Sequence, residues 1–308
     1  MIWHIYANRS NAGDWLSAQG IQSALAPFAP KDLLCDTPFA ANTLAGLSDA
    51  SPEDFIVIGG GGLFMDYFMP FWEGFLPIAA RVPFCIWGVG CCDLKRFQSR
   101  PPGKLLAEIV GRSRLCIVRD ELTRAFLSGC RLPPPVTCPT VLAVAATGGE
   151  QNRLLHVDHY DSVGPEHYER MVEIARAHAV RTGRSYRQTN NLISAGHRGA
   201  LRQTLDLYAS ADLVLSSRLH GCILALAMGR RVLAVSGDHK IESFMQSAGL
   251  GEWVCGLDEL DTLPSRLEAL PRQRLSVEFI EQARRQNRAV AAQVRSLMLK
   301  VEPATLTG

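Results

Sequence analysis

No apolar run in this 308-residue chain reaches the eighteen or so residues that a membrane-spanning helix needs. An excess of charge of either sign is also missing. The 32 Lys and Arg stand against 30 Asp and Glu, and the net charge of +2 argues against a nucleic-acid binder held by bulk electrostatics. The cysteines lack pattern: nine is an odd number, no C-x-x-C pair occurs, and Cys91 and Cys92 are adjacent. That spacing fits neither a disulfide framework nor a structural zinc site, so reduced thiols in a cytoplasmic setting are expected. Cys35, Cys85, Cys116, Cys222 and Cys255 lie in or beside apolar segments and read as small core residues. The start, Met1-Ile2-Trp3-His4-Ile5-Tyr6, has no basic stretch or cleavage site, and no signal peptide is expected. There is no fixed-period repeat and no low-complexity tract. Neither a P-loop nor a G-x-G-x-x-G fingerprint is present.

What the chain does have is an alternation of short apolar runs with longer amphipathic stretches. Ile2–Tyr6 reads as a strand, Asn8–Gly13 as a turn, and Asp14 as the cap of a helix over Trp15–Ala26. Lys31–Cys35 is a weak strand. Phe55–Ile58 is a clear one, followed at once by Gly59–Gly62 and then by helical sequence to Arg81. Phe84–Trp87 and Leu115–Val118 are further strands, with a helix over Lys104–Ser113 between them and another over Glu121–Leu127 after them. A breaker-rich segment, Val144–Arg153, suggests a boundary, giving units of 1–147 and 148–308. The alternation then resumes. Leu154–Val157, Leu213–Leu215, Arg231–Val235 and Trp253–Cys255 read as strands. Pro165–Thr182, Arg198–Tyr208, His239–Ala248 and Leu257–Leu270 read as helices. Ser276–Lys300 is a long polar helix expected to return to the first unit. The expected fold is therefore α/β, two doubly wound Rossmann-like domains facing each other across a cleft, the GT-B-like arrangement of sugar-handling enzymes.

The most informative stretch is Ser216-Ser217-Arg218-Leu219-His220-Gly221. It sits between a strand and a small-residue helix over Cys222–Met228 that ends at Gly229. In an open parallel sheet ligands bind at that carboxyl edge. The helix start adds free N–H groups and a positive dipole end, which suit a phosphate or carboxylate. Arg218 can hold such an anion by a bidentate fork, and His220 can move a proton near neutral pH. The same two residues also fit a surface salt bridge and a helix cap.

Other candidates share this position at strand ends. Gly60 and Gly61, in the tetraglycine, would let backbone approach a ligand. Asp66 and Asp93 follow strand-end glycine segments and would orient a sugar hydroxyl or cap a helix. Arg119 stands at a strand end of the first unit, beside a capping Asp120. His159 lies at the mouth of the second unit's first strand. Lys240 falls in the first turn of a helix, where a cation opposes the dipole; that conflict points to an anionic partner, a bound phosphate or Asp238.

The ordered set of these stretches resembles the polysaccharide pyruvyl transferase family. It runs from Asn8…Asn11-x-Gly13-Asp14 through Gly59-Gly60-Gly61-Gly62-Leu63-Phe64, Trp87-Gly88-Val89-Gly90 and Val118-Arg119-Asp120-Glu121. It continues with Cys138-Pro139-Thr140 and Ser217-Arg218-Leu219-His220-Gly221 and ends at Asp238-x-Lys240. The resemblance implies transfer of the carboxyethylidene group of phosphoenolpyruvate to two hydroxyls of one sugar, with release of phosphate and no cofactor or metal. It implies Arg218, Leu219, Gly221, Arg119 and Lys240 at the donor, and His220 as the proton-transfer group. It implies as acceptor an oligosaccharide or lipid-linked glycan of a bacterial polysaccharide, met on the cytoplasmic face of a membrane, with peripheral association through that lipid. Two other classes remain open at this point. One is a nucleotide-sugar glycosyltransferase of the same architecture, which lacks an evident ribose-binding glutamate beyond Glu242. The other is a non-catalytic carbohydrate-binding scaffold.

Overall fold

The structure, a computed structural model, describes residues 1–26, 33–38, 43–97, 103–148, 152–193 and 199–300, with the backbone alone for 33–36. Two parallel sheets of five strands carry it. The first contains β1 (Ile2–Ile5), β2 (Leu33–Asp36), β3 (Phe55–Phe64), β4 (Phe84–Cys91) and β5 (Leu115–Val118) in the order β2-β1-β3-β4-β5. The second contains β6 (Arg153–Val157), β7 (Ser185–Thr189), β8 (Leu213–Ser216), β9 (Arg231–Ser236) and β10 (Val254–Gly256) in the order β10-β9-β8-β6-β7. Every pairing is parallel, with Ile56 opposite Phe84 in the first sheet and Leu213 opposite Arg231 in the second. The near-continuous apolar strands follow from this, since helices cover both faces of each sheet.

The helices of the first unit are α1 (Ala12–Leu25), α2 (Thr43–Ser48), α3 (Met69–Ala79), α4 (Gly103–Arg112) and α5 (Glu121–Phe126), with a short α6 (Thr140–Ala143) leading out of it. Those that follow are α7 (Tyr160–Val163), α8 (Pro165–Arg181), α9 (Ala200–Ala209), α10 (Leu219–Ala227), α11 (His239–Ser247), α12 (Leu263–Ala269) and α13 (Val277–Leu299). The last of these runs back to the first sheet. Its Val290, Val294 and Met298 pack with Ile21 and Leu25 of α1 and with Trp87 of β4. The Trp87 indole N–H donates to Asn287 Oδ1 at 3.0 Å, so this buried polar pair is satisfied.

Several expectations change. The tetraglycine is not a loop after β3 but part of it: Gly59 pairs with Trp87 and Gly61 with Val89, and the register shifts only between Gly61 and Phe64. Helix α1 starts at Ala12 rather than Trp15, because Asn11 and not Asp14 is its cap; Asn11 Oδ1 accepts from the N–H of Gly13 at 2.9 Å and of Asp14 at 3.4 Å. The helix after the central motif starts at Leu219, which puts His220 inside its first turn and makes Arg218 the cap residue. Strand β7 has no counterpart in the expected strands; its Ser-Tyr-Arg-Gln-Thr sequence is polar because it is a partly exposed sheet edge. Lys31, Arg198 and 149–151 of the boundary segment lie outside the described residues.

Two backbone seams hold the units together on either side of the space between the sheets. Ala12 N–H donates to Asn191 C=O and Ile193 N–H to Ser10 C=O, both at 2.9 Å. Lys95 N–H donates to Gly237 C=O and His239 N–H to Asp93 C=O, both at 3.1 Å.

Candidate active site

The carboxyl ends of strands from both sheets open onto one cavity of about 330 Å³. Residues following β1, β3, β4 and β5 line one side, and residues following β6, β8 and β9 line the other. This is the crevice position at which open α/β sheets bind ligands. Of the residues singled out in the sequence, Arg119, His159, Arg218, Leu219, His220 and Lys240 line it together.

Each cation is fixed from behind. Arg119 leaves β5, and its Nε donates to Asp120 Oδ2 at 3.0 Å while Asp120 caps α5 through Thr123 N–H at 2.8 Å. Gly90 makes room for the guanidinium, since a Cβ there would lie 2.1 Å from Arg119 Nη2. Burial opposes the charge of Arg119, but Asp120, together with Cys138 and Cys92 nearby, holds the guanidinium above its ordinary pKa. Arg218 Nε donates to Asp158 C=O at 2.7 Å. Burial lowers its pKa against the nearby Asp158, yet an arginine stays protonated at any physiological pH. Lys240 Nζ lies 2.6 Å from Asp238 Oδ2 and 3.0 Å from Cys92 Sγ. Burial again opposes the charge, and Cys92 and Asp238 raise the pKa above the ordinary lysine value. Burial likewise works against the Asp238 carboxylate, but Lys240 and two backbone N–H groups keep it below its usual range.

His220 is buried in the first turn of α10. Its Nε2 lies 3.6 Å from Cys138 Sγ, and Cys138 in turn contacts Ser17 Oγ and Thr140 Oγ1 at 3.3 and 3.2 Å. Its Nδ1 lies 3.5 Å from Asp14 Oδ1. Burial, then the charges of Arg119, Lys240 and Arg218, push its pKa well below 6.5, so the imidazole is neutral at pH 7. His159 is pushed down to about 3, by burial first and then by Arg218 and Lys240. Its backbone N–H donates to Ser217 Oγ at 2.8 Å.

The other sequence candidates stand elsewhere. Gly221 packs α10 onto its strand; a Cβ there would lie 2.1 Å from Ser216 Oγ. Gly60 and Gly61 have φ of +96° and +102° and face helix α1, not the cavity. A side chain at Gly60 would press on the α1 backbone, and one at Gly61 would come 2.7 Å from Asp14 Oδ1. Asp66 opens a short helical turn between two lining residues, Met65 and Tyr67, without lining the cavity itself. Asp93 contributes backbone: its N–H donates to Asp238 Oδ1 at 3.1 Å, and its side chain is not part of the lining.

Polar residues that line it and that the sequence did not single out as lining are Asn8, Asn11, Asp14, Tyr67, Cys92, Asp161, Ser217 and Asp238. Asp14 is the most consequential. It is largely buried, and burial pushes its carboxyl up to about 6 against the pull of Arg119, Lys240 and Arg218. The available signal was Asn11 three positions earlier, a competing cap that releases Asp14 for another use. The eight cysteines whose side chains are described are free thiols, and among the described residues no group of three or more metal-ligating side chains occurs and no helix is long and apolar enough to cross a membrane.

A family model described as polysaccharide pyruvyl transferase matches residues 3–239 of the chain. No curated protein matches it. Among solved structures, a functionally uncharacterised protein from Klebsiella pneumoniae is similar at a TM-score of 0.52 and 14% identity, covering 82% of this chain and 91% of that one. The UDP-GlcNAc 2-epimerase of Methanocaldococcus jannaschii, in complex with UDP-GlcNAc and UDP, gives a TM-score of 0.57 at 8% identity, covering 94% of this chain and 99% of that one. S. aureus MnaA with UDP gives 0.55 at 10% identity, covering 91% and 90%. At these identities the likeness is one of fold: two Rossmann-like domains about a cleft.

Proposed function

This chain belongs to the polysaccharide pyruvyl transferase family and is a transferase, and we propose that its cleft takes phosphoenolpyruvate as donor and a sugar bearing two neighbouring hydroxyls as acceptor. The observation that carries this reading is the convergence of Arg119 from one unit with Arg218 and Lys240 from the other on the cavity that also holds His220. Phosphoenolpyruvate carries a phosphate and a carboxylate on three carbons, and three fixed cations match that charge density. Two of them, Arg218 and Lys240, stand at helix N-termini, where a cation is unfavourable; Asp238 offsets this for Lys240, and a bound anion would offset it for Arg218. The cavity volume of about 330 Å³ lies at the small end of the roughly 300–1,000 Å³ span of ligand pockets, which favours a compact donor over a nucleotide sugar.

The chemistry follows from these groups. The methylene carbon of the donor takes a proton, and the π electrons form that C–H bond. The electron-poor C2 is attacked by the first hydroxyl oxygen. The C2–O bond to phosphate breaks, the cations stabilising the leaving charge, and the second hydroxyl closes the ketal. Of the two hydroxyl protons, one balances the new methyl group and the other leaves with phosphate. A neutral imidazole is a base, so His220 accepts the proton of the attacking hydroxyl. Met65, Tyr67, Phe68 and Leu94 also line the cavity and supply apolar surface for the sugar ring. The acceptor on this reading is an oligosaccharide or lipid-linked repeat unit, with the enzyme on the cytoplasmic side, meeting the membrane through that lipid and using no cofactor.

Thermal shift tests the donor. Phosphoenolpyruvate should raise the melting temperature in a concentration-dependent way, because a ligand bound only by the native state stabilises it, and UDP-GlcNAc should not. The reverse pattern would assign the cleft to a nucleotide-sugar enzyme, and a shift with neither ligand but with a glycan would favour a binding scaffold.

A further inference from the structure

The Asp14 carboxylate is placed with more care than a helix cap requires, and the cap is Asn11. Helix α1 comes so close to β3 that a side chain at Gly61 would meet Asp14 Oδ1 at 2.7 Å and Ala7 Cβ at 2.5 Å. It comes equally close to α10, where a side chain at Gly13 would lie 2.1 Å from His220 Cγ. Two glycines therefore hold the carboxylate at the floor of the cavity, against the imidazole of the opposite unit. Among the described residues no donor hydrogen-bonds that carboxylate. Among the described residues the basic group within 4 Å of it is His220, whose Nδ1 lies at 3.5 Å. That separation is beyond a hydrogen bond, yet one hydroxyl oxygen can lie within reach of both groups.

We propose that Asp14 is a second catalytic residue of the cleft, forming with His220 one acid–base pair built from both units, in which the carboxyl protonates the methylene carbon of the donor. The proposal deepens the reading of phosphoenolpyruvate as donor and rests on it. The Asp14 O–H bond breaks as the C3–H bond forms from the donor's π electrons. The acceptor hydroxyl gives its proton to His220 Nδ1 as its oxygen bonds to C2. Passage of that proton from His220 back to Asp14 restores both groups, so the cycle consumes no proton and needs no oxidant or co-reactant.

The charged and titratable groups that line the cavity with Asp14 are Tyr67 after β3, Cys92 after β4, Arg119 after β5, His159 and Asp161 after β6, Arg218 and His220 at the start of α10, and Asp238 and Lys240 at the start of α11; Arg119, Lys240 and Arg218 are the charges that act on it most. Burial first, and then the three cations, keep His220 neutral, while burial pushes the Asp14 carboxyl up to about 6. The carboxyl is pushed up and the imidazole down, which suits the carboxyl to the acid's part in the pair and the imidazole to the base's. A bound anionic donor offsets the cations and shifts that proton's retention to higher pH.

The test compares Asp14→Asn and Asp14→Glu with wild type, reading melting temperature, phosphoenolpyruvate-induced shift and the pH profile of acceptor-dependent phosphate release. D14N should melt no lower than wild type at pH 7.5, because it removes a buried carboxylate that lacks donors. It should keep the donor-induced shift, lose phosphate release by about 10²–10⁴-fold, and lose the alkaline fall of the profile that the wild type shows. D14E should recover part of the rate, with the fall displaced. A D14N protein that turns over like wild type with the same alkaline limb overturns the pair alone. One that melts far below wild type makes Asp14 a structural residue and overturns it equally. Absence of any phosphoenolpyruvate shift or phosphate release in the wild type overturns the donor reading, and the pair with it.

Discussion

The two units of this protein are built on the same plan and equip the cleft in opposite ways. In the first, the strand ends are rich in glycine, and the helices that start there carry acids: Asp14 in the first turn of α1 and Asp120 as the cap of α5. Both acids agree with the helix dipole. In the second, α11 likewise has an acid as its cap, Asp238, but the helices that start at the strand ends also carry the cations Arg218 and Lys240, which oppose the dipole. The first unit shapes space through backbone, and the second fills that space with cations. What the difference teaches is that electrostatic strain marks the ligand side of a symmetrical scaffold. Lys240 already has the Asp238 carboxylate at 2.6 Å, so the cation left against the dipole is Arg218, and among the described lining residues Arg119 is the one cation from the first unit.

The comparison breaks most readily at Arg218. If the second unit binds the donor, Arg218→Ala should abolish the phosphoenolpyruvate-induced thermal shift, since losing one partner of a desolvated charge pair costs about 2–5 kcal/mol. A variant that keeps the shift would move the donor away from α10.

Stability against pH should show the units alike where the cleft shows them different. Each has a buried histidine within an inner strand: His4 on β1 and His156 on β6. Burial lowers both to about 4, against a backbone hydrogen bond to Gly59 for His4 and together with Arg176 for His156. A folded pKa below the unfolded value means that the stability is fully present above pH 6.5 and is lost as pH falls from there toward 4. Each histidine should account for about 3 kcal/mol across that window. Denaturant titrations at pH 7.5, 5.5 and 4.5 check this, and a flat profile would contradict the burial of both rings.

A smaller effect isolates the role of glycine in the first unit. Gly90→Ala places a methyl group where the flexible end of Arg119 now lies, so the side chain should yield and the fold persist. Donor affinity should fall by about tenfold, close to one charge-assisted hydrogen bond, and Arg119→Ala should match it. A larger loss in G90A than in R119A would mean that the glycine shapes more than the arginine's position.

Much of this was legible in the sequence, for identifiable reasons. The strands announce themselves as apolar runs because both sheets are covered on both faces, so residues at their carboxyl ends, Arg119, Arg218, His220 and Lys240, fall in the cleft. Strand β7 escaped because an exposed edge carries no apolar run. The tetraglycine looked like a ligand loop, yet its positive φ values serve the close approach of α1 to β3. Asp14 passed for a cap because spacing alone does not say which of Asn11 and Asp14 turns inward; the packing of α1 decides it. Asp66 and Asp93 followed the right strands, but within a turn one residue's shift decides which side chain faces the cavity, and Tyr67 and Cys92 face it instead.

The central claim, that the cleft transfers the carboxyethylidene group with His220 moving a proton, is tested most directly by phosphate release from phosphoenolpyruvate in the presence of a ketal-accepting glycan, wild type against His220→Ala. The wild type should release phosphate only when both substrates are present, and the variant should be slower by about 10²–10⁴-fold while retaining the donor-induced thermal shift. Wild-type turnover in the variant would contradict the assignment and turn attention to His159.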